Sequence, residues 1–229
     1  MRIAQIAGDR YVSAVDKTAS FSRAVADPSP STSPRKQVSK SHKSASKRRA
    51  IMRVAIDVIN LRSFALATMT EIADRLGLKD AALYYYFPGK QALVYACHVD
   101  SMDRFERLVG EVEASGANGL GKVELLLKLF LEDSETNGQH LYFGDHSYLA
   151  ERERLAIDDW AARLTKRIEK FIEQGIADGS VRQCEPELTV QLILGMLIWL
   201  GKWAPSTEGL TAKRLLASLS SLTVGGLRA

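Results

Sequence analysis

Residues 68–90, TMTEIADRLGLKDAALYYYFPGK, leave few folds open to this chain. Thr68-x-x-Glu71 has the form of a capping box, which opens a short helix with Ile72, Ala73 and Leu76 on one face. Gly77 then supplies the left-handed position that ends it. Asp80 is placed to cap a further helix from about Ala81 to Tyr86, and Phe87 closes it because a residue before proline is disfavoured in the helical region. Two short helices around a tight glycine turn form a helix-turn-helix, the unit whose second helix enters the major groove of DNA.

Four aromatics in one turn cannot all face a core, because consecutive helical residues point in different directions. Leu83 and Phe87, four apart, are expected to point inward with Leu76. Tyr84 and Tyr85 then face outward, with Tyr86 divided between the two sides. Phenolic hydroxyls on such a face can donate to phosphate oxygens, and their rings can touch sugars or thymine methyls. Lys90, opening the next helix, is expected to add an ammonium beside backbone N–H groups that already favour an anion. The plainer alternative, tyrosines that only glue a three-helix module together, suits one tyrosine better than three in succession.

In their order and spacing, Thr68, Ile72, Ala73, Gly77, Leu78, Leu83, Tyr84, Tyr86, Phe87, Lys90 and Leu93 resemble the signature of TetR-type transcriptional regulators, over about residues 46–106. Two positions depart from it: Lys79 stands where a serine is frequent, and Ala82 where a threonine is. The resemblance implies an all-α dimer. Its N-terminal three-helix DNA-binding domain would be followed by a larger helical domain that binds a small ligand and dimerises. The candidate DNA contacts are Thr68, Lys79, Asp80, Ala81, Ala82, Tyr84, Tyr85 and Lys90, joined by the basic Lys47 and Arg48.

The rest of the chain reads as helix. Ile51, Val54, Ala55, Val58 and Ile59 mark a first helix ending near Leu61, and Leu93, Ala96, Met102 and Phe105 mark one from Lys90 toward Val109. Further segments are expected over 123–131, 145–149 and 151–178, the last stopped by Gly179. Pro186 opens a helix to Trp203 that is apolar on nearly every side, and an amphipathic one follows over about 209–223. A helix apolar all round needs two partners, one of which can be a second copy of the chain. Its longest unbroken apolar run, Leu192–Gly201, falls short of the roughly 20 residues that cross a bilayer, so no membrane span is expected.

Charge divides the chain unevenly. Residues 1–49 hold 11 Lys and Arg against 3 Asp and Glu, and residues 50–229 hold 20 against 24. The basic extension over 1–44 is read as disordered, and the resemblance implies a DNA-binding domain over 45–106 with its motif at 68–87 and a ligand-binding and dimerisation domain over 107–229. The two cysteines, Cys97 and Cys184, show no paired spacing, which fits a reducing cytoplasm and excludes a disulfide framework.

Catalytic chemistry finds little purchase. His140, Asp145, His146 and Glu151 do not fall one helical turn apart, and Cys97 and His98 are adjacent and so point to different faces. No catalytic residue, metal or cofactor is expected. The expected partners are double-stranded DNA with a near-palindromic operator, a small hydrophobic effector, and a second copy joined through the last two helices. The resemblance sets the effector among the later helices, with Leu108, Leu126, Phe130, Tyr142, Trp160, Leu164 and Trp199 as candidate walls. The C-terminal tail is also similar to regulators of lipid and steroid breakdown that sense acyl-CoA thioesters, and the wider family includes repressors of drug efflux. The alternative is a helical ligand-binding adaptor without operator specificity.

Overall fold

Helix α1 (Pro34–Leu66) begins with a proline in its first turn, where the missing N–H costs nothing, and is interrupted at Ser63, whose φ of 73° and ψ of 162° are not helical. The computed structural model describes the backbone of residues 34–141 and 146–229, and side chains from Lys43 onward. Residues 43–229 form one unit, and every contact below lies within it. The expected disordered extension lies outside the described residues up to 33. From Pro34 the backbone is already helical, because residues 35–49 are mostly good helix formers and helix propagates easily once a turn is anchored.

The helix-turn-helix follows as α2 (Met69–Arg75) and α3 (Asp80–Tyr86). Thr68 Oγ1 accepts from the Glu71 amide at 3.1 Å. The box is only half closed, since the Glu71 carboxylate turns to Arg75 at 3.1 Å and Arg62 at 3.4 Å. Gly77, at φ 62°, is the left-handed turn residue. The N-cap of α3 is Lys79, not Asp80: Asp80 is the first helical residue, and its carboxylate instead accepts from Thr70 Oγ1 at 2.6 Å, tying the two helices together.

Helix α4 (Lys90–Ala114) joins two cores. Its first turns bury Leu93, Val94 and Cys97 with Ile51, Ile72, Leu83 and Phe87, and its later turns bury Met102, Val109 and Val112 with the helices that follow. Those are α5 (Gly119–Asn137), α6 (Glu151–Asp178), α7 (Pro186–Trp203), α8 (Ala212–Leu222) and the short α9 (Val224–Leu227). Both α4 and α5 run beyond their expected ends, since polar surface turns extend a helix whose apolar face is already docked. The helix expected over 145–149 is not formed where it is described: residues 147–149 are a turn closed by Leu149 N donating to His146 O at 3.0 Å. Among the described residues the only β-type pairing is an isolated bridge between Val181 and Arg228.

Helix α5 starts where the backbones of two helices nearly touch. A Cβ on Gly119 would lie 2.0 Å from the Gly175 amide nitrogen on α6, so only glycine fits the crossing. By length and composition alone, α7 with the turn after it, Pro186–Ser206, is apolar enough to cross a membrane, a test that the core helix of a folded domain also passes. An unbroken apolar run underestimates it, because Thr189, Gln191 and Lys202 dilute the stretch without cancelling it. Its inward side carries Val190, Ile193, Leu197 and Leu200, and Leu188, Leu192, Trp199 and Trp203 remain exposed on the other.

Candidate nucleic-acid interface and ligand cavity

The recognition helix is held from beneath and open above. Leu83 and Phe87 are buried, while Tyr84 and Tyr85 expose 52% and 81% of their surface. Tyr86 is half-buried, packing on the core and meeting the Tyr85 ring edge-on at 5.0 Å between centroids. Lys79 and Ala81 are exposed, and Asp80 and Ala82 half-buried. Ala81, Tyr84 and Tyr85, at i, i+3 and i+4, therefore share one accessible face of the seven-residue helix, and Lys79 is exposed at its N-cap.

Three other expected contacts are placed differently. Lys90 gives its ammonium to the carbonyls of Phe64 at 2.9 Å and Ala67 at 3.0 Å and lies 4.2 Å from the Phe64 ring centroid, fastening the end of α1 to the start of α4. Arg48 donates to Tyr86 O at 3.0 Å and stacks 4.1 Å over Phe87, so it completes the C-terminal end of α3. Thr68 is exposed, but its hydroxyl is committed to the cap of α2. Lys47 is half-buried on α1.

The second site is a cavity of about 500 Å³ lined by α4, α5, α6, α7, residues 139–141 and His146. Met102, Phe105, Phe130, Ile157, Leu164 and Leu197 give it an apolar wall. Thr165, Lys166, Glu169, Glu187, Asp158 and Gln191 give it polar edges. Of the expected wall residues, Phe130 and Leu164 line it. Leu108 and Leu126 are ordinary core, and Trp160 is turned away, its indole N–H donating to Glu106 at 2.9 Å. Trp199 lies on the exposed side of α7, and Tyr142 is outside the described residues. The missed walls had one signal in the sequence: the small residues Ala161 and Ala162 on α6, and Gly195 and Gly201 on α7, leave room that larger side chains would fill.

His140 forms the most elaborate part of the lining. Its ring stacks on Phe130 at 4.6 Å, and Nε2 lies 2.9 Å from Asp133 Oδ2. Asp133 is held as well by Arg104 and by Asn137 at 2.7 Å. Burial alone raises the Asp133 carboxyl, but the hydrogen bonds from His140, Arg104 and Asn137 outweigh it and hold the group well below the usual carboxylate range. Burial pushes His140 downward despite its carboxylate partner. His146 is 2.7 Å from Asp158, so the two histidines are served by separate carboxylates. Asp145 lies outside the described residues, and among those described no group of three His, Cys, Asp or Glu could hold a metal ion. Cys97 and His98 diverge as expected: the thiol, pushed up by burial, faces Met52 O, and His98 meets the Tyr148 hydroxyl at 2.9 Å.

The family model described as "Bacterial regulatory proteins, tetR family" matches residues 51–97, and that described as "Tetracyclin repressor-like, C-terminal domain" matches 116–227. The chain belongs to the TetR family. The HTH-type transcriptional repressor KstR2 of Mycolicibacterium smegmatis is 25% identical over 194 residues, covering 80% of this chain and 91% of that protein. The solved structure of the ketosteroid transcriptional regulator KstR2 of Mycobacterium tuberculosis superposes with a TM-score of 0.69 at 21% identity, over 80% of this chain and 95% of that one. AibR in complex with isovaleryl coenzyme A and operator DNA superposes with a TM-score of 0.64 at 24% identity, over 77% and 97%. As a TetR family member, the chain is a ligand-responsive, DNA-binding transcriptional regulator and not an enzyme.

Proposed function

We propose that this TetR regulator is a cytoplasmic repressor that binds a near-palindromic operator as a homodimer and is released by a hydrophobic small molecule. The observation that carries the reading is the division of α3 and its C-cap into buried anchors, Leu83 and Phe87, and an outward face of Ala81, Tyr84 and Tyr85, with Lys79 exposed at the N-cap. Side chains on that face reach phosphate and sugar when the helix lies in the major groove. Two such helices about one DNA turn apart require a dimer. The exposed stripe of Leu188, Leu192, Trp199 and Trp203 on α7, with Leu222 exposed on α8, supplies an apolar surface suited to self-association through the last two helices.

The effector would occupy the cavity beside Phe130, Leu164 and His140. Its apolar wall suits an acyl-CoA or other lipid-derived ligand, or a drug-like compound. AibR, crystallised with isovaleryl coenzyme A and operator DNA, offers a precedent in a similar fold. Binding that favours one placement of α4 would change the spacing of the recognition helices and weaken DNA binding. The test is release of the protein from a fragment of its own upstream DNA, screened over fatty acyl-CoAs and common antimicrobials. One class should release it at micromolar concentration. A protein that stays monomeric while binding the fragment with full affinity would overturn the dimer.

A further inference from the structure

We propose that the chain carries a second binding site, for an oxyanion such as a phosphate or carboxylate group, in the polar cavity where α1 and α2 meet α5 and α7. This cavity, of about 510 Å³, is lined by Arg53, Asp57 and Asn60 of α1, Arg75 of α2, Ser134 and Glu135 of α5, and Lys202 of α7. Three cationic side chains face two carboxylates. Arg75 is shared with Glu71 at 3.1 Å, and the charges of Arg53 and Arg75 both act on the Asp57 carboxylate, which burial nonetheless raises. Its side chain lies across Gly138, where an added Cβ would come within 2.8 Å of Arg53 Nε, so the glycine leaves the guanidinium its place.

Ser134 is the observation that points to a ligand. It is buried, it lines the cavity, and its hydroxyl has no hydrogen-bond partner among the described residues. A mid-helix serine usually bonds back to the carbonyl four residues earlier, and a buried hydroxyl left unpaired is costly. A bound oxyanion would accept from this hydroxyl and from the Arg53 guanidinium together. The wall behind is fixed: Asn60 Nδ2 donates to His140 O at 2.8 Å in a buried contact, and Gly201 packs against the same amide.

Gln139 and Gly201 line both this cavity and the apolar one. The oxyanion can therefore be the polar end of one amphiphile whose apolar part lies beside Phe130, or an anion bound by itself. In both cases it touches the helix-turn-helix module through Arg53 and Arg75 and the ligand domain through Ser134 and Lys202. Occupancy would then bias their relative placement, a consequence that rests on the regulatory reading above; the site itself does not.

The experiment is calorimetric titration of the full chain with inorganic pyrophosphate at fixed ionic strength. One saturable site per chain is expected. Arg53→Gln should weaken it about tenfold and Ser134→Ala several-fold, Arg53→Lys should recover part of the loss, and Lys79→Gln on the recognition helix should leave it unchanged. Absence of saturable binding, wild-type affinity in both Arg53→Gln and Ser134→Ala, or loss of binding in Lys79→Gln would each overturn the site. Decyl phosphate separates the two sources. If the cavity-filling Ala161→Trp weakens decyl phosphate but not pyrophosphate, one amphiphile spans both cavities; if it weakens neither, the anion binds alone. Should the chain protect no operator, the regulatory reading fails while the titration still decides the site.

Discussion

The helix-turn-helix and the ligand domain solve opposite packing problems. In the first, every large apolar side chain of α2 and α3 has one destination, and Leu83 and Phe87 vanish into the core while Tyr84 and Tyr85 stay out. In the second, four helices are kept from closing completely, and the space between them is edged by charged and hydrogen-bonding groups. A motif built on the i to i+4 spacing of one helix fixes its outward face locally. A cavity is fixed only by what distant helices leave unfilled. Sequence therefore speaks more clearly about the DNA face than about the effector.

Single substitutions can break that contrast. Phe87→Ala should remove about 3–5 kcal/mol of unfolding free energy, read by chemical denaturation, since it empties the small core that sets the recognition helix. A loss under 1 kcal/mol would mean the module does not depend on this anchor. Asp133→Ala should cost a similar amount, about 3–5 kcal/mol, by leaving the Arg104 guanidinium buried without its carboxylate. If it is neutral, the polar lining is not what holds the ligand domain together.

Acidification acts next in size. Burial, with a smaller contribution from His146, pushes His98 down to about 4, and burial lowers His140 too. The unfolded chain takes up these protons near 6.5, before the folded chain does. Stability from both groups is thus fully present above about pH 6.5 and declines as pH falls toward 4, by roughly 2–3 kcal/mol for His98. Denaturation midpoints measured across that interval should fall with pH, and His98→Gln should flatten the slope. A midpoint unchanged between pH 7 and 4.5 would place these histidines in water.

Much of the fold was legible because its punctuation is local. The Thr68 cap, the left-handed Gly77 and Gly179, the pre-proline Phe87 and Pro186 each act within one turn, and each ends or begins a helix as expected. The residues that the structure places differently share the opposite character. Lys90 and Arg48 read as DNA contacts because their charge is visible in sequence, whereas the carbonyls of Phe64, Ala67 and Tyr86 that receive them are not. Trp160 and Trp199 read as cavity walls because they are large, but a wall needs a small neighbour opposite. The glycines and alanines that open the cavity are distributed over α6 and α7. His140 was legible only as a lone histidine, since its partners Asp133 and Arg104 come from α5 and α4.

The outward face of α3 is tested most directly by quantitative footprinting on the DNA flanking the protein's own gene, at fixed salt, with wild type and Tyr85→Ala side by side. Wild type should protect a near-palindromic site, and Tyr85→Ala should protect the same site about tenfold more weakly, or about 1.4 kcal/mol, with an unchanged denaturation midpoint. No protected site, or Tyr85→Ala binding as tightly as wild type, would contradict the account.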